Sequence, residues 1–279
     1  MTSVRPNRPL ASGDATSPRE SLAQRIRTAR LDWIVPDWPA PPGVHAFVTT
    51  RNGGVSVGGG ASLDLGSAST RSSASPEDAA AIAENRRRVE AFLPASPFWL
   101  TQVHGTDVVV APDASKSPRA DAAVTFEANV VLAVRVADCM PVLFADHAGS
   151  VIGIAHAGWR GLAADVLEST IAAMSREPSQ ILAWLGPAIG RSAFEVGADV
   201  RDAFVGADPA ARAAFAEGRP GKWLADLEAL ARMRLFRAGV NAIHGGGMCT
   251  ASDPVRFFSF RRDRTSGRMA AFLWREAPR

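Results

Sequence analysis

Two imidazoles and one thiol stand at the ends of three apolar stretches. "WLTQVHG" runs up to His104, "LAVRVADC" ends on Asp138 and Cys139, and "VIGIAHAGWRG" carries His156. Nitrogen and thiolate donors suit zinc, and coordination keeps the thiol deprotonated. Three protein donors leave a fourth position for water, the mark of a catalytic metal. A structural site needs a fourth protein donor, and Cys249, His147 or Asp138 could supply it. Without a metal, Cys139 with His104 or His156 reads as a nucleophile and its base. The plainest alternative is no site at all, because free cysteine is commonly buried and a lone histidine is commonly just hydrogen-bonded. No Cys-x-x-Cys or His-x-x-x-His pair decides among these.

Strands must bring these residues together. "VHAFVTT" (Val44–Thr50), "FWLTQV", "DVVV", "DAAVT", "VVLAVRVA", "PVLFA", "VIGIAHA" and "ILAWLG" all read as strands. Several are apolar throughout, which predicts a sheet covered on both faces. "SPEDAAAIAENRRRVEAFL" predicts a helix capped by Ser75, with Pro76 at its first position and Glu77 and Asp78 at its positive end. Ile82, Val89 and Leu93 would form its buried face. "LAADVLESTIAAM" predicts a helix with Leu162, Val166, Leu167 and Ile171 on one side. "KWLADLEALARMRLFRAG" predicts another, closed by Gly239 in a left-handed cap. "RFFSF" and "MAAFLW" are expected to pair as a hairpin around "RRDRTSG". Strands and helices mix without regular alternation, against a Rossmann fold or a barrel and in favour of an α+β class with mixed sheets and helices outside.

The 279 residues are 47% hydrophobic, enough for a sizeable core. Residues 1–40, rich in Pro, Ser and Arg, read as a disordered basic tail, and 41–279 as a single domain. No apolar run is long enough for a membrane span and no secretory signal is evident, so a cytoplasmic location is expected. Two cysteines make no disulfide framework. The net charge is +3, but the arginines are scattered and form no stripe interleaved with aromatics, so nucleic acid is not an expected partner. The sequence does not specify an oligomeric state. Anions could be held at the turn "HAGWRG" by helix-start amides and Arg160, by Arg51 at the mouth of a glycine-rich loop, or by Arg261. The alternative for each is an ordinary turn or a solvated arginine.

Taken in order, "NGGVS", "ENRRRVEAF", "TQVHGTDVV", "VADCMPVLFAD", "IAHAGWRGLAADVLEST", "AWLGPAIG", "FEVGADV", "GKWLADL" and "RFFSFRRDRTSGRMAAFLW" resemble the YfiH/DUF152 proteins over about residues 44–275. That family is also called the laccase-domain, polyphenol oxidase or purine nucleoside phosphorylase family, and in some namings a peptidoglycan editing factor. The resemblance implies a layered α/β/β/α sandwich and a zinc site made by His104, Cys139 and His156, with copper as the other candidate metal. It implies phosphorolysis of adenosine, inosine, guanosine and methylthioadenosine, plus adenosine deamination. The other naming implies an amidase acting on wrongly built peptidoglycan precursors. The chain departs from the family at Ser192, Ala193 and Phe194, where two cysteines and a tyrosine are usual, at Phe260 in "SFRRD", and at Gly59-Gly60 in the glycine-rich loop.

Counting argues against a multicopper laccase. A blue copper centre takes two histidines and a cysteine, which would leave three of the five histidines for a further cluster, and no His-Cys-His run exists. Deamination would use water activated by zinc, with Asp138 as proton shuttle or as a support for the ligands. The cytidine-deaminase signature is absent. Phosphorolysis would place phosphate among Arg51, Arg160 and Arg261. The small-molecule partners expected are therefore a purine nucleoside and phosphate. A zinc-stapled interaction domain is the non-enzymatic alternative.

Overall fold

A computed structural model describes residues 20–66, 75–115, 117–264 and 267–277. The helices are α1 (Leu22–Thr28), α2 (Pro76–Glu90), α3 (Trp159–Ala163), α4 (Val166–Ala173), α5 (Ala198–Ala207), α6 (Leu227–Arg237) and α7 (Phe260–Asp263). The first strands are β1 (Val44–Val48), β2 (Phe98–Trp99), β3 (Val108–Val110), β4 (Ala122–Thr125), β5 (Leu132–Val136), β6 (Met140–Asp146) and β7 (Ile152–Ala157). They are followed by β8 (Ile181–Leu185), β9 (Glu195–Val196), β10 (Phe215–Glu217), β11 (Trp223–Ala225), β12 (Ala242–Gly245) and β13 (Met269–Arg275).

Two mixed sheets carry the fold, a four-stranded one in the order β1-β13-β5-β2 and a six-stranded one in the order β12-β8-β6-β7-β4-β3. A small antiparallel sheet, β10-β11-β9, stands beside them. Alternate residues explain the stacking. In β13, Ala271 and Leu273 meet Leu143, Ile154 and Trp184 of the larger sheet. Ala270, Phe272 and Trp274, on the other face, pack with Ile26 of α1 and Val89 of α2. The opposite face of the larger sheet, with Val142, Phe144, Ala155 and Ala183, packs against α4, α5 and α6 through Leu167, Val200 and Leu230. Both faces of both sheets are thus covered, so the strands are apolar throughout. The result is the α/β/β/α sandwich implied by the family resemblance, built from the mixed, doubly covered sheets that the strand patterns predict.

Helix α2 begins as its sequence indicates. Ser75 accepts from the Asp78 amide at 3.2 Å, and Asp78 accepts from the Ser75 amide at 3.0 Å, a reciprocal cap. Ile82 and Val89 are buried, while Leu93 is only partly so. Gly239 takes φ +90 beyond α6, as a left-handed cap does.

Three expectations need correction. Residues 1–40 are not wholly a tail. From Ser21 onward the chain is capped and helical, Ile26 and Trp33 are buried, and Trp33 stacks on Phe47 at 5.2 Å. These few apolar anchors lie among surface arginines, which lowered the average hydropathy. The rest of that segment, 1–19, lies outside the described residues. The helix expected after "HAGWRG" is two helices, α3 and α4, separated by Asp165 at φ +77. The Ala164 amide closes back on Arg160 and Gly161, and aspartate tolerates the left-handed region better than most residues. Finally, "RFFSF" is not half of a hairpin. Phe257 and Phe258 are buried against Val136 and Met269, and the Ser259 hydroxyl accepts from the Arg262 amide to start α7. β13 pairs with β1 and β5 instead.

Candidate metal centre and its cavity

Strand register brings the chemistry together. β6 pairs with β7 so that Met140 faces Ala157 and Pro141 faces His156. Cys139, one residue before β6, therefore falls beside the end of β7. On the other side of β7, β4 pairs Ala122 with Ala155, and the His156 amide donates to the Asp121 carbonyl at 2.7 Å. His104 comes from the loop between β2 and β3 and takes φ +62. His104 Nε2 lies 3.8 Å from Cys139 Sγ, and the two imidazole rings meet edge to face with centroids 4.9 Å apart. One ligand atom from each of His104, Cys139 and His156 lies within 4.8 Å of the other two. His156 is buried, Cys139 is half-buried and His104 is exposed. The geometry thus places all three sequence-predicted donors in one cluster.

Asp121 is the residue that sequence reasoning missed. Its carboxylate, fully buried, accepts from His156 Nδ1 at 2.8 Å through one oxygen. Through the other it accepts from the Val103 and Gly105 amides at 3.0 and 2.7 Å. One side chain therefore fixes the His156 ring, leaving Nε2 for a cation, and pins the loop that carries His104. Carboxylate support of this kind orients histidine ligands. The available signal was an acid opening the otherwise apolar strand "DAAVT". Gln102 is a second positioning residue, pairing with both backbone groups of Arg135 at 2.8 and 2.9 Å as a neighbouring strand would.

The glycines of "HAGWRG" have steric causes. A Cβ on Gly158 would fall 2.9 Å from Cys139 Sγ and 3.1 Å from the His104 ring, and one on Gly161 would fall 2.8 Å from the Gly105 carbonyl. The α3 helix that follows is a single five-residue turn, with Arg160 exposed beside the Trp159 ring.

The electrostatics favour a thiolate. Burial opposes ionisation of Cys139, but His156 and then His104 outweigh it and lower the thiol to about 6. Burial likewise opposes protonation of His156, but the Cys139 thiolate and the Asp121 hydrogen bond raise it to about 9. For Asp121, burial is outweighed by His156 and the two amides, which hold the carboxyl below its usual range. In metal-depleted protein, alkylation of Cys139 by iodoacetamide should therefore persist well below pH 8 and fall through a midpoint near 6, against about 8.5 for a free thiol. Peptide mapping over a pH series would read it; a midpoint above 8 would contradict it.

These donors fit a borderline-soft cation. Tetrahedral zinc with bonds of about 2.0–2.3 Å puts nitrogen and sulfur about 3.6 Å apart, close to the separation of His104 Nε2 and Cys139 Sγ. Among the described residues no fourth His, Cys, Asp or Glu joins the cluster. Cys249 accepts from the Gly190 amide at 3.2 Å, and His147 lies just beyond the other end of β6. Asp138 lines the cavity, but its oxygens accept from Thr250 Oγ1 and the Arg261 amide, both at 2.6 Å. In this position it ties the Cys139 turn to α7.

The three donors open onto a cavity of about 850 Å³, within the range of small-molecule sites. Trp159, Phe194 and Phe260 contribute aromatic surface, and Arg261 contributes charge while donating to the Ala193 and Glu195 carbonyls. Arg51 and Arg160 are not among the lining residues. Arg51 donates to the carbonyls of Ala61 and Pro254 and lies over Phe258, so it closes the glycine-rich loop rather than facing a ligand. Arg86, Trp99 and Arg135, not singled out as site residues from the sequence, also line the cavity.

Residues 45–276 match the family described as multi-copper polyphenol oxidoreductase laccase. The chain is 50% identical over 243 residues to a purine nucleoside phosphorylase of Pseudomonas aeruginosa, covering 87% of this chain and 98% of that one. It is 49% identical over 244 residues to the purine nucleoside phosphorylase YfiH of Escherichia coli, covering 86% and 98%. Among solved structures, a DUF152 protein of Neisseria meningitidis superposes with a TM-score of 0.82 at 48% identity, covering 88% of this chain and all of that one. YlmD of Geobacillus stearothermophilus gives a TM-score of 0.76 at 32% identity, covering 88% and 96%.

Proposed function

The chain belongs to the YfiH/DUF152 family, whose profile carries the polyphenol oxidoreductase laccase description, and on that premise we propose that it is a metal-dependent purine nucleoside phosphorylase. The observation that carries this reading is the cluster of His104, Cys139 and His156 on the wall of a cavity of nucleoside scale, in a chain about half identical to proteins named for that activity. Zinc is the cation proposed, with copper as the other candidate, and when bound it would act as a Lewis acid on the nucleoside or the phosphate.

The chain's own residues supply the rest. Asp121 holds the His156 ring in one orientation through Nδ1, which leaves Nε2 as the nitrogen that would bind the cation. Trp159 and Phe194 offer ring faces that exclude water from a purine. Arg261 adds a fixed positive charge to the same wall. In phosphorolysis a phosphate oxygen bonds to C1′ as the C1′–N9 bond breaks. The bonding pair leaves on the purine nitrogen, and the proton of hydrogen phosphate ends there, giving free base and ribose 1-phosphate. The remaining histidines support a single-cation centre over a multicopper one: His45 is stacked on Trp274, His244 is on β12, and His147 lies beyond β6.

Adenosine, inosine, guanosine and methylthioadenosine are the proposed substrates. With adenosine and phosphate, purified protein is expected to release adenine and ribose 1-phosphate in equal amounts, with no product when phosphate is omitted. Chromatography of the products reads this directly. Inosine with ammonia and no adenine would replace the phosphorylase reading by a deaminase one.

A further inference from the structure

Away from the three donors, the cavity wall holds two arginines on one indole. Arg86, from α2, and Arg135, from β5, have guanidinium carbons 5.4 and 4.7 Å from the ring centre of Trp99. Arg86 donates to the Gly66 carbonyl at 2.6 Å, and Arg135 donates to the Leu100 carbonyl at 3.3 Å. Neither joins an ion pair among the described residues, and the Nε of each is buried without a hydrogen-bond partner. Burial opposes the charge on Arg86, and Asp64 and Glu90 favour it. Arg135 is brought down to about 10 by burial and then by repulsion from Arg86.

Two like charges with unfilled donors in a partly enclosed space are costly until an anion joins them. A guanidinium presents a planar fork of donors that fits phosphate oxygens in pairs. The pair is also tied to the metal centre. Arg135 precedes Cys139 by four residues, a reach of at most about 14 Å. Gln102, two residues before His104, is bonded to both backbone groups of Arg135. We propose that Arg86 and Arg135, braced on Trp99, form the cavity's phosphate site, an inference that rests on the phosphorylase reading above. It puts the phosphate on residues other than the Arg51, Arg160 and Arg261 expected from the sequence.

The phosphate could be inorganic phosphate or an ester carried by the nucleoside, and the experiment separates them. Arg135→Gln, Arg86→Gln and the charge-keeping Arg135→Lys would be compared with wild type and with Arg87→Gln. Arg87 is exposed on α2 and paired with Glu84, so it serves as a control. Circular dichroism confirms folding, and the two glutamine variants lie on different elements. Calorimetry at fixed ionic strength measures binding of inorganic phosphate alone and of adenosine 5′-monophosphate. Steady-state kinetics give the KM values for phosphate and adenosine.

Each glutamine variant is expected to weaken phosphate binding at least about tenfold, as loss of a charge-assisted hydrogen bond does. The KM for phosphate rises in step, the KM for adenosine stays within about twofold, and Arg135→Lys recovers part of the loss. Weakening confined to the monophosphate supports the site and assigns it to an ester of the substrate. Unchanged affinities for both ligands in both glutamine variants overturn it. If those variants lose phosphate binding while wild type makes no ribose 1-phosphate, the site stands and the phosphorylase reading falls. If wild type phosphorolyses adenosine and the variants keep its phosphate KM and its affinity for both ligands, the reading stands and the site falls.

Discussion

Cys139→Ala is expected to empty the metal centre and to stop turnover without unfolding the protein. Sγ is the single thiolate donor of the three, and the two imidazoles alone cannot compensate for its loss. After dialysis against a weak chelator, metal content should fall from about one per chain to near zero by elemental analysis. Removing a carboxylate that merely orients a ligand costs about 10–100-fold, so removing a ligand should lower kcat/KM by more than about 100-fold. The melting temperature of the variant should stay close to that of metal-depleted wild type, because Cys139 is half-buried at the cavity wall rather than part of the apolar layers. A collapse in melting with metal loss would instead mark a structural, zinc-stapled domain. Wild-type turnover in metal-free Cys139→Ala would remove the catalytic account.

Asp121 comes second in expected effect and differs in kind, because its substitution should lower both stability and metal affinity. In Asp121→Asn one end of the side chain becomes a donor, so it can satisfy either the imidazole or the loop amides but not both. Metal affinity and kcat/KM should each fall about 10–100-fold. Stability should fall by about 1–3 kcal/mol for the donor left unpaired. Asp121→Ala strands all three donors and should cost about 3–5 kcal/mol. The folded carboxyl lies below its ordinary pKa, so its contribution is present above the ordinary carboxylate range and is lost as pH falls through the folded value. Acid denaturation of wild type should therefore be steeper than that of Asp121→Asn. Chemical unfolding across pH, alongside metal titration, checks both; equal metal affinity in the two proteins would contradict the positioning role.

The three donors were legible because each ends an apolar run at a glycine or turn, a local pattern in the sequence. Their meeting is a matter of register, since Pro141 opposite His156 sets Cys139 beside the end of β7. Asp121 was not legible in the same way. It opens a strand like many surface acids, and its role depends on β4 lying beside β7, which is a tertiary fact. The same holds for Arg86 and Arg135, which are 49 positions apart in sequence and share a partner only because α2 covers the sheet that holds β5. Arg51 misled because a charged residue beside glycines resembles an anion loop, whereas its guanidinium is consumed by carbonyls of that loop and its neighbour. The helix at Pro76 was legible almost to the residue, since capping is local chemistry. The break at Asp165 was not, because nothing in "LAADVLESTIAAM" marks it except an aspartate.

The placement of β13 bears on how the polypeptide is born. It lies between β1 and β5, although it leaves the ribosome after every other strand described here. Until Met269–Arg275 emerges, β1 and β5 each present bare backbone where a neighbour belongs, and the strand leading to Cys139 has no partner on that side. His104, Cys139 and His156 are all synthesised more than a hundred residues before that moment. The nascent chain thus holds all three donors long before it can settle into its final layers.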